Sequence, residues 1–292
     1  MDQKKLLTLS IVISMFFWGL SWPSAKVITA YASPINLVVY RYIIVSFTLL
    51  PILFLFKINP KIKKDGILYV ILSASLLALY SILMFRGLTL GFSGAGGVMV
   101  TTLNPIMAYF IGLIVKKKKP TKNEMLGLII GLFAGCILLE IWKNLDGLLM
   151  GGNIYLLLSA LIWALMSRIT ANSSKYGSPF SFSFWIYLAT FVFLIPFMTF
   201  GEIEHTLEIA DFKFWGNLLF GGAIVTSIAT SIYFYATSKL GSEKASSYIF
   251  LVPFSAAISA WILLDEKIYI HTIVGGVLGI VAVYLINRKK NN

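Results

Sequence analysis

Acidic side chains, cysteine and histidine are all scarce in this chain, and each shortage excludes something. Twelve Asp and Glu stand against 24 Lys and Arg in 292 residues, so only 12% of positions are charged, about half the share of an ordinary soluble domain. The single cysteine, Cys136, lies in an apolar run and cannot form an internal disulfide. Two histidines, His205 and His271, cannot build a zinc site alone. Gly94-Ala95-Gly96-Gly97 is not followed by Gly-Lys-Ser/Thr, so it is no phosphate loop. No metal and no cofactor are expected. Apolar surface, by contrast, is plentiful: 58% of residues are hydrophobic and 15% aromatic, with a mean hydropathy of +0.86. A chain of this size cannot hide so much of it in a water-soluble globule. The solvent is lipid, which excludes a disordered chain. The net charge of +12 is then first a topology signal, not a nucleic-acid patch.

Ten segments are long and apolar enough to cross a bilayer at about 20 residues each. Seven carry no charge: Leu6–Ala25, Gly66–Phe85, Gly87–Val115, Gly147–Ser167, Tyr176–Gly201, Phe214–Ser238 and Ala245–Leu264. Three tolerate one polar group: Pro34–Phe56 with Arg41, Met125–Trp142 with Glu140, and Ile268–Asn287 with His271. Runs such as Leu156-Leu157-Leu158 lack the alternation of a barrel strand. The first segment follows Lys4-Lys5 but is too long for a signal core, and reads as a retained helix. With the N-terminus cytoplasmic, 18 of the 24 basic residues fall in inside segments, Lys116–Lys119 among them. Both termini are therefore expected in the cytoplasm, the membrane being the inner, cytoplasmic one.

The chain also repeats. A shift of 145 residues brings Ser14 onto Ser159, Trp18 onto Trp163, Ser33-Pro34 onto Ser178-Pro179, Tyr42 onto Tyr187 and Pro51 onto Pro196. Further along, Ser81 matches Ser231, Leu90-Gly91 matches Leu240-Gly241, Pro105 matches Pro253, and Gly127 and Gly131 match Gly275 and Gly279. An ordered series of this kind argues a duplication, with residues 1–146 as the first unit and 147–292 as the second. Each unit holds five helices, and five is odd, so equivalent helices cross the membrane in opposite directions. The loop charges agree: Lys57 and Lys63 correspond to Glu202 and Glu208. The fold class read from the chain is an all-α membrane protein of ten helices in two inverted five-helix repeats. That is a secondary-transporter architecture, with the substrate site near the midplane where the repeats meet.

Helical spacing places Ser14, Trp18, Ser21, Trp22 and Ala25 on one stripe of the first helix, and Ser159, Trp163, Ser167 and Thr170 on one stripe of the sixth. Similar stripes hold Gly97, Thr101, Asn104 and Ala108, then Thr226, Thr230, Tyr233 and Thr237, with Ser73 and Tyr80 on the third helix. Such residues line a cavity or serve as glue between membrane helices. Arg41, some seven residues inside its helix, either snorkels or faces a cavity. The candidate substrate-binding set is Trp18, Trp22, Arg41, Tyr80, Thr101, Asn104, Trp163, Ser167, Thr230 and Tyr233. Pro105 and Pro253 are candidate hinges, since proline frees a backbone carbonyl. Gly127, Gly131 and Gly135 form a Gly-x-x-x-Gly ladder mirrored by Gly275 and Gly279. It permits close helix approach, within the chain or in a homodimer. The twelve acidic residues all fall in loops or at span ends, so an organic cation would find no deep counter-charge. Neutral, zwitterionic or anionic solutes suit the cavity better.

Trp18-Gly19-Leu20-Ser21-Trp22, Ser33-Pro34 and Arg41 resemble the opening of EamA-type repeats in the drug/metabolite transporter superfamily. Leu240-Gly241, Ala245, Pro253 and Leu264-Asp265-Glu266-Lys267 resemble the end of such a repeat, although Lys116–Lys119 stands where the first repeat often has an acidic residue. The resemblance covers nearly the whole chain. It implies ten helices, a central cavity between the halves, and export of amino acids or other small metabolites by alternating access. An uptake permease of the same fold stays open, as does a membrane enzyme or scaffold. The spans, however, hold no deep carboxylate pair or histidine cluster for an intramembrane enzyme. The expected partners are a small-molecule substrate and the bilayer, with no nucleic acid.

Overall fold

In the computed structural model, residues 3–90, 93–116, 119–143, 152–256 and 269–288 are described. Lys117, Lys118, Asp146, the Leu264–Lys267 motif and the last basic residues lie outside them. Among the described residues the chain is all helix, with no strand. In order come α1 (Gln3–Ile28), α2 (Pro34–Leu55), α3 (Ile67–Leu90), α4 (Ser93–Lys116), α5 (Lys122–Leu138), α6 (Asn153–Thr170), α7 (Pro179–Leu194) and α8 (Phe200–Ile209). Then follow α9 (Phe212–Leu219), a π-helical stretch over Phe220–Thr230, α10 (Ser231–Leu240), the short α11 (Ser242–Ser247) and α12 (Ile270–Asn287).

Seven helical stretches among the described residues are long and apolar enough to cross a membrane: Lys5–Ile28, Pro34–Leu55, Lys64–Leu90, Asn153–Lys175, Pro179–Phe197, Phe212–Leu240 and Ile270–Asn287. Val100–Val115 within α4 is a shorter apolar helix. Of the other expected spans, 125–142 is helical as far as Leu138, and 245–264 runs partly beyond the described residues. Phe47, Phe54, Leu68, Phe110, Phe133 and Tyr284 are all exposed on the outside of the bundle. Rings and aliphatic chains would be costly there in water, and belong against lipid.

Local chemistry sets the helix starts. Ser33-Pro34 and Ser178-Pro179 open α2 and α7 in the same way, each proline at the first helical turn, where its missing N–H costs nothing. Thr121 and Glu124 close a capping box at the start of α5: the Thr121 hydroxyl accepts from the Glu124 N–H at 3.3 Å, and the Glu124 carboxylate from the Thr121 N–H at 2.7 Å.

The two halves interlock. α6 packs against α3 and α4, α7 against α2 and α3, and α1 against the π stretch. At one end of the bundle the start of α2 is tied to the segment around α8 and α9: Glu202 accepts from the Ser33 N–H, and Tyr31 donates to Asp211 at 2.8 Å. At the other end the start of α7 is tied to the loop before α3. Ser181 donates to the Asn59 carbonyl and Trp185 to the Pro60 carbonyl, both at 2.7 Å.

The glycine ladder is used within the chain. α5 packs along α12, where a Cβ on Gly127 would meet the Ala282 carbonyl at 3.0 Å and one on Gly275 would meet the Ala134 carbonyl at 3.1 Å. A side chain on Gly131 would run into Phe250 at 2.3 Å. The faces of these glycines are covered within the chain, and a Cβ on Gly135 would likewise run into Thr102. The two candidate hinges also differ. Pro105 lies inside continuous α4, whereas Pro253 directly follows a 3-10 turn over Tyr248–Leu251. A proline nitrogen cannot bond the carbonyl four residues back, and the chain there is wound more tightly.

Candidate functional site

Between the middle of the bundle and the end where α1 finishes lies a cavity lined by α1, α2, α3, α4, α6 and the π stretch. α1 and α4 give it Trp18, Trp22, Thr101 and Asn104; α2 and α3 give Arg41 and Tyr80; α6 and the π stretch give Trp163 and Thr230. Eight of the ten residues expected from helical spacing thus stand on one wall. Ser21 and Thr226, which share those helical stripes, stand there too, as do Tyr42 and Ser81, which the repeat match alone singles out.

The aromatic part is a contiguous box. Trp18 meets Trp163 edge-on, centroids 5.1 Å apart and planes at 83°. Tyr80 lies 4.7 Å from Trp163. Edge-on and offset rings attract through their quadrupoles and offer flat apolar surface to a guest. Three atoms of this wall are buried without a hydrogen-bond partner: Trp18 Nε1, Trp163 Nε1 and Asn104 Oδ1. Asn104 Nδ2 donates to the Ala160 carbonyl at 3.2 Å, and only an N–H can face a carbonyl, so the amide orientation follows from this bond. Its carbonyl oxygen is the one left unpaired.

Arg41 is 9% exposed and deep in the protein. Its Nε donates to the Gly221 carbonyl at 3.2 Å and to Thr226 Oγ1 at 3.0 Å, and its Nη2 donates to the Gly221 carbonyl at 3.1 Å. Both acceptors belong to the π stretch, and both are neutral. Thr226 in turn donates to Gly221, five residues back, at 2.8 Å. Ser227 and Thr230 make the same five-residue bonds, to Gly222 and Val225. Hydroxyls bonded in this way brace the wider winding, and π segments gather at functional sites. Gly221 makes room for the guanidinium, since a Cβ there would stand 3.3 Å from Nη2. Among the described residues no carboxylate pairs with Arg41, and none lines the cavity. An arginine buried in this way is costly unless something else meets its charge.

Ser167 and Tyr233 do not line the cavity. They lie beneath it, where Tyr233 is fully buried. The Tyr233 hydroxyl bonds Ser167 and Ser246, each at 2.9 Å, and its ring packs 5.0 Å from Trp18. Below them Thr170 meets Thr237 at 3.4 Å, and Arg168 meets Glu243 at 3.8 Å. These groups fill the level just below the cavity, while farther out a second pocket opens around Tyr109, Leu240 and Glu243. The expected α stripe from Thr226 to Thr237 is broken because the π winding ends at Thr230. Periodicity assigns a face, not a level along the axis.

Comparison with known proteins agrees with this geometry. The model of the EamA-like transporter family matches residues 6–140 and again 150–288. "Uncharacterized transporter YoaV" of Bacillus subtilis is 26% identical over 272 residues, covering 92% of each chain. An "Uncharacterized transporter" of Archaeoglobus fulgidus is 24% identical, covering 97% of this chain and 98% of its own. The "WAT1-related protein At3g02690, chloroplastic" of Arabidopsis thaliana is 25% identical, over 97% of this chain and 69% of its own. A crystal structure superposes with a TM-score of 0.70 over 96% of this chain and 97% of its own, at 14% identity. At that identity the likeness speaks for the fold alone.

Proposed function

The chain belongs to the EamA-like transporter family, and from that premise we propose that it is a secondary carrier exporting small metabolites or amino acids across the cytoplasmic membrane by alternating access. Membrane transport, as opposed to enzymatic activity, follows from the family and its named transporters. Export, substrate and sidedness are the further reading. One observation carries it: the cavity wall is drawn from both halves of the chain, and its one buried cation, Arg41, is held by neutral groups of the opposite half. A group gripped in this way is available to a solute and sits where two repeats rock against each other. In this reading ten helices form two inverted repeats, 1–146 and 147–292, with both termini cytoplasmic. The cavity then faces outward, and the packed rings and hydroxyls around Tyr233 close the cytoplasmic side. Among the described residues the wall has no carboxylate to carry a proton, which supports facilitated or loosely coupled transport.

Purified protein in sealed vesicles, given a panel of labelled amino acids with and without a pH gradient, tests this. Expected is exchange of at least one neutral amino acid that a pH gradient changes little. Robust pH-driven export of a cationic drug, abolished by Glu140→Gln, would overturn the mechanism. Single cysteines at Lys118 and Glu204, with Cys136 replaced, should label from opposite membrane faces; labelling from one face would sink the inverted ten-helix arrangement.

A further inference from the structure

Resting on the transporter reading, we propose that the cavity recognises a carboxylate at Arg41 together with an uncharged hydrogen-bond donor at Asn104 Oδ1. The solute it fits best is a 2-hydroxy acid with an aromatic or branched apolar body, ahead of the corresponding amino acid. Three observations converge. Arg41 donates through Nε and Nη2 to neutral acceptors, and its guanidinium lies 5.8 Å from the centre of the Phe85 ring. Its remaining nitrogen, Nη1, makes no hydrogen bond among the described residues and belongs to a side chain on the cavity wall. A guanidinium in that state presents charge-assisted donors to an incoming oxyanion. Asn104 offers the complementary half. Its amide nitrogen is spent on Ala160, so its buried, unpartnered oxygen asks for an N–H or O–H from the guest. The ring box of Trp18, Trp163 and Tyr80 takes the apolar body.

Charge decides between donors. Among the described residues the wall holds a cation and no anion. An ammonium brought into this low-dielectric space loses its water, meets only the neutral Asn104 carbonyl, and is repelled by Arg41. A hydroxyl satisfies the same carbonyl without either cost. An amine lacking the carboxylate leaves Arg41 unpaired, and a carboxylate lacking the donor leaves Asn104 unpaired.

The test uses the full-length protein in detergent, with calorimetric titration of four probes sharing one ring: 3-phenyllactate, phenylalanine, 3-phenylpropionate and phenethylamine. The expected order is phenyllactate first, phenylalanine and phenylpropionate each about tenfold or more weaker, and phenethylamine without binding. Arg41→Gln should weaken phenyllactate by about 10- to 100-fold. Asn104→Leu should erase its advantage over phenylpropionate. The ranking on the unaltered protein decides the matter even if a variant fails to fold. Binding of phenethylamine as tight as that of phenyllactate would overturn the proposal, as would phenylalanine ahead of phenyllactate or no binding by any probe. Vesicle exchange of labelled phenyllactate separates the two readings. The expected order without exchange refutes transport through this cavity and leaves the recognition site standing. Exchange of a neutral amino acid with the order reversed leaves transport standing and refutes the recognition site.

Discussion

Tyr42 and Tyr187 stack at the centre of the bundle with ring centroids 5.8 Å apart, and each hydroxyl meets a serine at the matching place in its own half. Tyr42 bonds Ser81 at 3.0 Å and Tyr187 bonds Ser231 at 3.4 Å. Arg41, next to Tyr42, has no such twin: the corresponding residue beside Tyr187 is Ile186, fully buried. The same divergence recurs around the cavity. Asn104 corresponds to Val252, Tyr80 to Thr230, and Trp22 to Ser167. The repeated tyrosines and serines build the frame and the repeated tryptophans the ring box, whereas the unrepeated Arg41, Asn104 and Tyr80 give the cavity its polar chemistry. A physical reason favours the asymmetry. Two buried cations on opposite sides of one midplane would repel each other in low dielectric, whereas a single one can hold a solute through the whole cycle.

Exchanging chemistry between the halves tests this most sharply. Ile186→Arg places an unpaired charge in a filled site and should cost about 3–5 kcal/mol, seen as lost expression or a much lower Tm. Arg41→Ile, the reverse change, removes a cation whose desolvation only neutral acceptors offset. The Gly221 carbonyl keeps its bond from Thr226. Its Tm should hold or rise while solute exchange falls about 100-fold, measured on the same preparation. Equal destabilisation by the two substitutions would remove the distinction between frame and site.

The tryptophan mates come next. Trp18 and Trp163 touch each other, but Trp163 also packs on Tyr80 and stacks on Phe234 at 5.7 Å. Trp163→Ala should cost about 3–5 kcal/mol, and Trp18→Ala less. Both should insert into membranes and both should lose transport. Wild-type exchange rates in both variants would make the pair mere packing.

Those tryptophans were legible from the sequence for the same reason that they pair: depth in a span, helical spacing, and a matched partner in the other half. Asn104 was legible as a polar group well inside its span, whereas for Arg41 the sequence left snorkelling and a cavity both open. The π stretch was not. Phe220–Thr230 reads as an ordinary apolar helix, and the five-residue bonds of Thr226, Ser227 and Thr230 arise from packing against Arg41 and α1. Ser167 and Tyr233 share a face with cavity residues, yet their level along the axis is filled by their own hydrogen bonds, which spacing cannot convey. For the glycine ladder, sequence shows that two helices can approach closely, but not which two.

A finer comparison uses the tyrosine mates themselves. Tyr42→Phe removes one hydroxyl bond, to Ser81. Tyr187→Phe removes two, to Ser231 and to the Thr226 carbonyl at 3.2 Å. At about 1 kcal/mol for each net bond, Tyr187→Phe should lower Tm more. Both should leave solute affinity within about twofold, because neither hydroxyl is among the groups proposed to grip the solute. A large affinity loss in Tyr42→Phe alone would extend the site to Tyr42.

The smallest effect separates the two ends of the bundle. At the cavity end the halves are tied through carboxylates, Glu202 to the Ser33 N–H and Asp211 to Tyr31. At the opposite end the ties from Ser181, Trp185 and Lys63 all run to backbone carbonyls, which do not titrate. The Phe214 N–H, at 2.9 Å, and the Tyr31 hydroxyl hold the Asp211 carboxyl below its ordinary range. A group lowered on folding stabilises fully above the unfolded aspartate value, and that contribution fades as pH falls through the folded value. Acidification from about pH 5 to pH 3 should therefore loosen the cavity end first. Hydrogen exchange should quicken around Tyr31–Asn36 before it quickens around Tyr176–Ser181. Asp211→Asn keeps a helix-capping oxygen but abolishes the charge. Its exchange around Tyr31 should already be faster at neutral pH, and its difference from the wild type should close on acidification. Uniform loosening of both ends would mean that the carboxylates at the cavity end carry no more of the fold than their neutral counterparts do.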